Sequence, residues 1–346
     1  MSHVRSTGLV SVFVLGALGC ARHSDAVGDA GKDATVAGDD VQSTACTPLV
    51  PRSVAPEIFI GPDQWETSIE DAIDSATTSL DVQMYLFTVS DIATHIISAH
   101  NRGVAVRVLT DANESPNNAS TTAMLTAAQV PNHLDPATFT YAHAKYLIID
   151  KSTAVVLSGN FNYTAIDSTG GERNYGIIDR DRQDISDLQR IYDTDWVSGP
   201  EPDLSCTRLI VSPVNSEQRI IDHVNSAHQT LDIEVLYLDS SDVRAAVVAA
   251  AQRGVAIRVL LADPADNPQN SETQTSFTNL GIPTKFLITN YLHAKMIQAD
   301  GIALVGSENM STTSLTRNRE VGELIFEPDP ADQIHAQYEL DWAAGQ

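Results

Sequence analysis

Lysine is scarce in this chain: 346 residues hold only five, at positions 32, 145, 151, 285 and 295. Lysine and arginine together number 21 against 45 aspartates and glutamates, a formal charge of -24. A field of that sign repels polyanions at long range and disfavours a broad, non-specific nucleic-acid binder, while leaving room for a local positive pocket. Three cysteines cannot build a disulfide scaffold, and no cysteine or histidine cluster has metal-ligand spacing. No glycine-rich segment has phosphate-loop spacing, so nucleotide binding is not indicated. The apolar run Gly8 to Leu18 is too short to span a bilayer as a helix. What is present, 42% hydrophobic and 19% charged residues, is enough apolar surface for real cores, and the length suits about two domains.

The chain begins like an export signal: Arg5 in a short polar lead, the apolar run, then small residues at Gly19 and Cys20. The ending Ala17-Leu18-Gly19-Cys20 resembles the lipobox of bacterial lipoproteins, which implies cleavage after residue 19 and lipidation of Cys20. A plain secretory signal is the alternative. Residues 20–53, rich in Asp, Gly, Ala and Ser over their first half, read as a lipidated flexible tether without apolar periodicity. Cys46 and Cys206 would then remain in an oxidising compartment, either as a disulfide or as two separate thiols.

Self-comparison organises the rest. Gly61-Pro62 through Leu80-Asp81-Val82 matches Ser212-Pro213 through Leu231-Asp232-Ile233, each pair 151 residues apart, and Asn101 to Leu109 matches Gln252 to Leu260 in the same register. Both copies close alike, on Tyr192, Asp195 and Trp196 and on Tyr338, Asp341 and Trp342. Within each copy, apolar positions at helical spacing alternate with buried-type strands. This predicts an α/β protein of two similar α-β-α layered units, each a mixed sheet flanked by helices, related by an intrachain pseudo-twofold axis. The units are placed at residues 54–199 and 200–346.

Each copy carries one histidine-lysine constellation: His143-Ala144-Lys145 with Asp150, and His293-Ala294-Lys295 with Asp300. Two of five lysines thus follow a histidine by two residues at matching places, which surface decoration does not explain. In a strand, residues i and i+2 share a face, so each histidine shares a face with its lysine. Gly159-Asn160-Phe161-Asn162 and Gly306-Ser307-Glu308-Asn309 follow. If the units meet about the pseudo-twofold, one site receives two imidazoles, two ammonium groups and two carboxamides. That set suits a phosphodiester: lysine and asparagine bind the non-bridging oxygens, one imidazole attacks, and the other protonates the leaving oxygen.

These motifs resemble those of the phospholipase D superfamily, H-x-K-x4-D followed by G-S-x-N, over nearly everything from Glu57 to Trp342. The resemblance implies a metal- and cofactor-independent phosphodiesterase. Its catalytic set would be His143, His293, Lys145, Lys295, Asn162, Asn309 and Glu320; Asn160 and Ser307 would contact substrate, and Asp150 and Asp300 would support the strands. It implies His143 as nucleophile through a phosphohistidine, His293 as general acid, and Glu320 as the residue holding His293. In the first copy Asn174 stands at the acid's place with Glu172 two residues away, leaving the orienter of His143 undetermined, and Asn160 occupies the serine position. By the same resemblance the chain is expected to work as a monomer on a phospholipid at a membrane surface, as an exported, membrane-anchored lipoprotein. A nuclease using the same site, disfavoured by the acidity, and a catalytically dead binding module are the rivals.

The remaining candidates have structural readings. His95, His100, His223, His228 and His335 are expected at surfaces or helix ends, Trp196 and Trp342 as core anchors, and Asp184 and Asp187 on a solvated face. His133 lies in an irregular stretch, Asn132 to Thr140, before the first motif, where a loop could line a substrate. Gly170-Gly171 and Asp263 to Asn279 read as loops.

Overall fold

The computed structural model describes residues 51–166 and 171–346, all within one compact unit that begins at Cys46. The expected signal sequence, Cys20, Cys46, most of the expected tether and Gly170 lie outside the described residues. Cys206 is disulfide-bonded, and both other cysteines fall outside them.

The first repeat contributes seven strands, β1 Glu57–Gly61, β2 Ser79–Met84, β3 Ala105–Thr110, β4 Asn132–Leu134, β5 Tyr146–Ile149, β6 Thr153–Leu157 and β7 Glu172–Asp179. Its helices are α1 Trp65–Asp74, α2 Ser90–Asn101, α3 Ala119–Ala127, α4 Tyr163–Ile166 and α5 Arg182–Trp196. The second adds β8 Ile210–Ser212, β9 Thr230–Val235, β10 Ala256–Ala262, β11 Thr284–Leu287, β12 Tyr291–Leu292, β13 Lys295–Ala299, β14 Ile302–Gly306 and β15 Glu320–Ile325. Its helices are α6 Ser216–Ser226, α7 Ser241–Gln252, α8 Asn270–Asn279, α9 Thr312–Thr316 and α10 Pro328–Ala344. Residues 270–279, read from sequence as loop, are thus helical, with Thr273 and Phe277 on the buried face.

The sheets run β1-β7-β6-β5-β2-β3-β4 and β11-β10-β9-β13-β14-β15-β8, each mixing parallel and antiparallel pairs. Gly103 and Gly254, at φ 94° and 89°, end α2 and α7 in the left-handed conformation that favours glycine. Each repeat buries its own layer of helix against sheet, with Trp65, Ile69 and Ile73 of α1 in one and Ile220 and Val224 of α6 in the other. A third core is common property. It gathers Tyr146, Val156 and Tyr175 of the first sheet with Met296, Val305 and Val321 of the second. Burying such side chains contributes roughly 1.5–3 kcal/mol each, so the seam is held as a protein interior is held.

The repeated closing motif is also explained. Asp81 pairs with Arg107 at 2.7 Å, and that guanidinium lies over Tyr192 and Trp196; Asp232, Arg258, Tyr338 and Trp342 repeat the arrangement. Asp195 on α5 then receives Arg319 of the second repeat at 2.9 Å, and Asp341 on α10 receives Arg173 of the first at 2.7 Å. These arginines tie each repeat to the other's last helix.

Asp184 and Asp187 are buried rather than solvated. Arg52, just ahead of β1, reaches 2.9 Å from Asp184 and 2.8 Å from Glu323, and Arg208 grips Asp184 from the other side. Arg190 holds Asp187. Among the described residues, Asp179, Asp184 and Glu323 could converge on a cation, and the Arg52 guanidinium pairs with all three. His223 lies in the last turn of α6, at a helix end as expected, but it is buried there rather than at the surface, with Nε2 3.1 Å from the Ile297 carbonyl oxygen, and burial lowers its pKa to about 4.

Candidate active site

Each motif histidine directly follows a short element that pairs across the seam, the Ala142 bridge to Arg319 in the first repeat and β12 in the second, and precedes a strand of its own sheet. The His143 and Ala144 amides donate to the Arg319 carbonyl at 2.9 and 2.8 Å, and the His293 amide donates to the Arg173 carbonyl at 3.1 Å. Strand β12 itself pairs with β7 of the other repeat. Each histidine is therefore aimed by the opposite repeat's backbone.

Its side-chain partner comes from the opposite repeat as well. His143 Nδ1 lies 2.8 Å from Glu320 Oε2. This corrects the assignment of Glu320 to His293 and supplies the missing orienter of His143. His293 Nδ1 instead faces Asn174 Oδ1 at 3.2 Å and Glu172 Oε2 at 3.4 Å. The linear alignment places Glu320 just after its own repeat's motif, but the strands meet across the axis, so proximity is exchanged.

Glu320 is fully buried and accepts from Ser307 Oγ at 2.7 Å, Ser314 Oγ at 2.6 Å and Asn318 Nδ2 at 2.9 Å. Burial would raise its pKa, but His143, Lys145 and these donors hold it below the usual carboxylate range. Ser307 thus bonds the orienting carboxylate. In the first repeat Ser158 does the same job: its Oγ donates to Asn174 Oδ1 and accepts from the Tyr175 amide, both at 2.9 Å, as Ser307 Oγ accepts from the Val321 amide at 3.1 Å.

That pairing corrects the register of the second motif. Ser158-Gly159-Asn160 is the counterpart of Ser307-Glu308-Asn309, confirmed by matching bridges of Phe161 to Phe87 and Met310 to Leu238. The serine missing from the first repeat is present one place earlier than Gly159. Asn160, not Asn162, stands in for Asn309; Asn162 donates to Glu172 at 3.0 Å and belongs to the carboxylate's setting. The displacement arises at the hairpin, where Asp150-Lys151-Ser152 links β5 to β6 but only Asp300-Gly301 links β13 to β14. Asp150 and Asp300 organise those turns as expected. Asp150 accepts from the Thr77, Thr78 and Ser79 amides, Asp300 from those of His228, Gln229 and Thr230.

Lys145 and Lys295 are fully buried, each donating to the carbonyl of its own motif histidine, and Lys295 Nζ also reaches the Ser158 carbonyl at 3.3 Å. Burial lowers both ammonium pKa values, that of Lys145 to about 7, and Lys145 adds repulsion to Lys295. The histidines are lowered as well, chiefly by burial and further by both lysines; Glu320 opposes the shift at His143, whereas His143 itself deepens it at His293.

Two cavities open on this centre. One, of about 580 Å³, is lined by His293, Asn160, Glu172, Asp263, Asp266 and Ile288. The other, of about 480 Å³, is lined by His143, Asn309, Tyr85, Tyr141, Tyr237 and Asp239. Asn160 and Asn309 each present an unpartnered side-chain oxygen here. Tyr85, edge-on to His143 at 4.6 Å between ring centroids, and Tyr237 carry no sequence signal beyond strand periodicity. His133 lies apart from both cavities, stacked on Trp196 at 4.0 Å.

The family described as "Cardiolipin synthase, PLD-like domain" matches twice, at residues 69–196 and 220–342. The chain belongs to this family. Its relatives include a "Mitochondrial cardiolipin hydrolase" of Chlamydomonas reinhardtii, 29% identical over 36% of this chain and 55% of that protein. A "Phospholipase D" of Rickettsia conorii is 33% identical over 37% of this chain and 62% of its own. The chain spans about half the length of the first curated relatives it matches. Among solved structures, a phosphatidylserine synthase of Haemophilus influenzae aligns at a TM-score of 0.64, with 14% identity over 85% of this chain and 86% of that one. A polyphosphate kinase of Porphyromonas gingivalis aligns at 0.63, with 16% identity over 83% of this chain and 50% of its own. Both are alike in fold.

Proposed function

We propose that the chain is a phosphodiesterase of phospholipase D type that cleaves a phospholipid headgroup, by hydrolysis or by transfer to an alcohol. The observation that carries the reading is the convergence of both histidine-lysine pairs on one buried centre, each histidine oriented from the opposite repeat. The family and the lipid-acting names of the relatives support the substrate class.

In this reading His143 Nε2 attacks phosphorus while Glu320 holds Nδ1–H and stabilises the charge growing on the ring. Lys145, Lys295, Asn160 and Asn309 receive the non-bridging oxygens. His293 gives its proton to the departing headgroup oxygen as the P–O bond breaks. A water or alcohol then attacks the phosphohistidine, its proton passing to His293 and the P–N electrons returning to His143. The asymmetry of partners supports this order: a carboxylate-backed imidazole is the better nucleophile, and His293, which lacks the Glu320 support, gives up its proton more readily.

Among the described residues neither cavity is lined by lysine or arginine, which weighs with the charge of -24 against a polynucleotide substrate. The reading is tested by incubating purified protein with phospholipid vesicles and, separately, with DNA, in chelator. Headgroup release from vesicles, with label trapped on His143, is expected; cleavage of DNA alone, or label on His293, would overturn the substrate or the order. We place the protein on a membrane, as a monomer anchored through Cys20, and Cys20→Ala should move it to the soluble fraction.

A further inference from the structure

Glu308 is used by no step above, although it lies in the second motif. It is fully buried, and neither carboxylate oxygen has a hydrogen-bond partner beyond its own backbone N–H. Two glycines make room for it: a Cβ on Gly306 would stand 2.2 Å from Oε2, and one on Gly322 2.7 Å. The first repeat fills the corresponding space differently. Gly159 replaces Glu308, Leu157 replaces Gly306, and the Phe59 ring lies against Gly176, where a Cβ would stand 2.1 Å from it. A carboxyl group thus occupies a space that an aromatic ring fills in the other repeat. Burying a carboxyl group without a side-chain partner is costly in either protonation state, and packing alone does not call for one.

The charged groups facing it are Lys145, Lys295 and Glu320. We propose that Glu308 is a positioning residue for the lysine pair, an internal counterion that lets both ammonium groups stay charged when a phosphate oxygen arrives. This rests on the phosphodiester reading of the site. Two adjacent buried ammonium groups would repel, so before substrate arrives one of the two lysines is a neutral amine, and burial together with Glu320 keeps a proton on Glu308. A bound phosphodiester monoanion offsets one ammonium. Transfer of the Glu308 proton to the neutral amine of the other lysine leaves carboxylate and ammonium and offsets the second, with no proton drawn from solvent.

The test uses inorganic phosphate as probe, so that it needs no turnover. Binding to the full chain is followed by calorimetry between about pH 6 and 9, a window spanning the lowered lysine range. Wild-type affinity should fall as the lysines lose their protons. Removing the carboxylate removes the charge that stabilises ammonium, so in Glu308→Gln and Glu308→Met the fall should move about one pH unit toward acid, leaving affinity about tenfold weaker at the alkaline end. Met fills the space without charge and separates packing from electrostatics. An unmoved pH profile in both variants, each melting like wild type, would overturn the proposal. So would loss of folded protein in both, which would make the carboxyl a structural filler. Absence of phosphate binding by the wild type would remove the reading of the site itself.

Discussion

The two half-sites are built from nearly the same side chains in exchanged positions. On β15 and its approach the order is Asn318, Arg319, Glu320; on β7 it is Glu172, Arg173, Asn174. Residues two apart on a strand share a face, so either order delivers one carboxylate and one amide to the same corner. In both the amide donates to the carboxylate, Asn318 to Glu320 at 2.9 Å and Asn174 to Glu172 at 3.0 Å. The exchange decides which of the two meets the histidine. His143 receives the carboxylate at 2.8 Å, His293 the amide at 3.2 Å. A pseudo-symmetric centre acquires a polarity without any change in composition.

The strongest way to break this comparison is to neutralise each orienting group in turn. Glu320→Gln should cut kcat by two or more orders of magnitude, about 3 kcal/mol, because it withdraws the charge that stabilises the His143 imidazolium and leaves the wrong tautomer held. Asn174→Ala removes one neutral hydrogen bond and should cost about tenfold or less. Equal losses in the two variants would mean that the polarity is without kinetic consequence.

A second asymmetry concerns acid. His223 on α6 is buried and neutral, while the same place on α1 is Ala72. Its folded pKa, about 4, lies below the unfolded value of 6.5, so the unfolded chain binds the extra proton first. Stability is therefore full above the unfolded pKa and declines as pH falls toward 4, by at most about 3 kcal/mol. Denaturant titrations at both ends of that window should show this loss, and His223→Gln should remove most of it. An unchanged pH dependence in the variant would show that acid sensitivity lies elsewhere.

The smallest expected difference separates the two hairpin aspartates. Asp150 accepts from three amides and from the Thr77 and Thr78 hydroxyls, Asp300 from three amides. Both are well solvated, so screening reduces each contribution; Asp150→Ala should cost about 2 kcal/mol and Asp300→Ala about 1. Their pKa values are held low by these donors, so the stabilisation is present above the ordinary carboxylate range and disappears in stronger acid. Reversal of the order in thermal melts would break the parallel.

How much of this was legible in the sequence follows from where each signal resides. The constant offset of 151 residues exposed both units, because that signal lies within one stretch of chain; each lysine does lie beside its histidine, but through a bond to that histidine's carbonyl and not through strand alternation, since His143 to Lys145 and His293 precede their strands. The longer interval from Asp150 to Gly159 than from Asp300 to Gly306 pointed to a change in hairpin length, but one added turn residue explains only part of it, and the register is settled when Ser158 and Ser307 are seen making the same bonds. Glu320 went to the wrong histidine because a linear alignment keeps residues with their own repeat, whereas the seam exchanges them. Asp184 looked solvated because its partners Arg52 and Arg208 approach from other segments, whereas Asp187 pairs with Arg190 one turn along the same helix and its burial left no mark in the pattern. Glu308 gave no signal, since an unpaired charge is assigned to solvent by default.

The crossing of Arg173 and Arg319 bears on ancestry. Each arginine clasps the other repeat's final helix with its side chain and holds the other repeat's histidine with its carbonyl, so neither half could complete its own centre. Two identical polypeptides associating in this way would carry the same residue at both orienting positions, and any improvement beside one imidazole would be imposed on the other. Joining the copies in one gene releases that constraint: each position can drift alone, and a division of labour between equivalent histidines becomes something selection can act on.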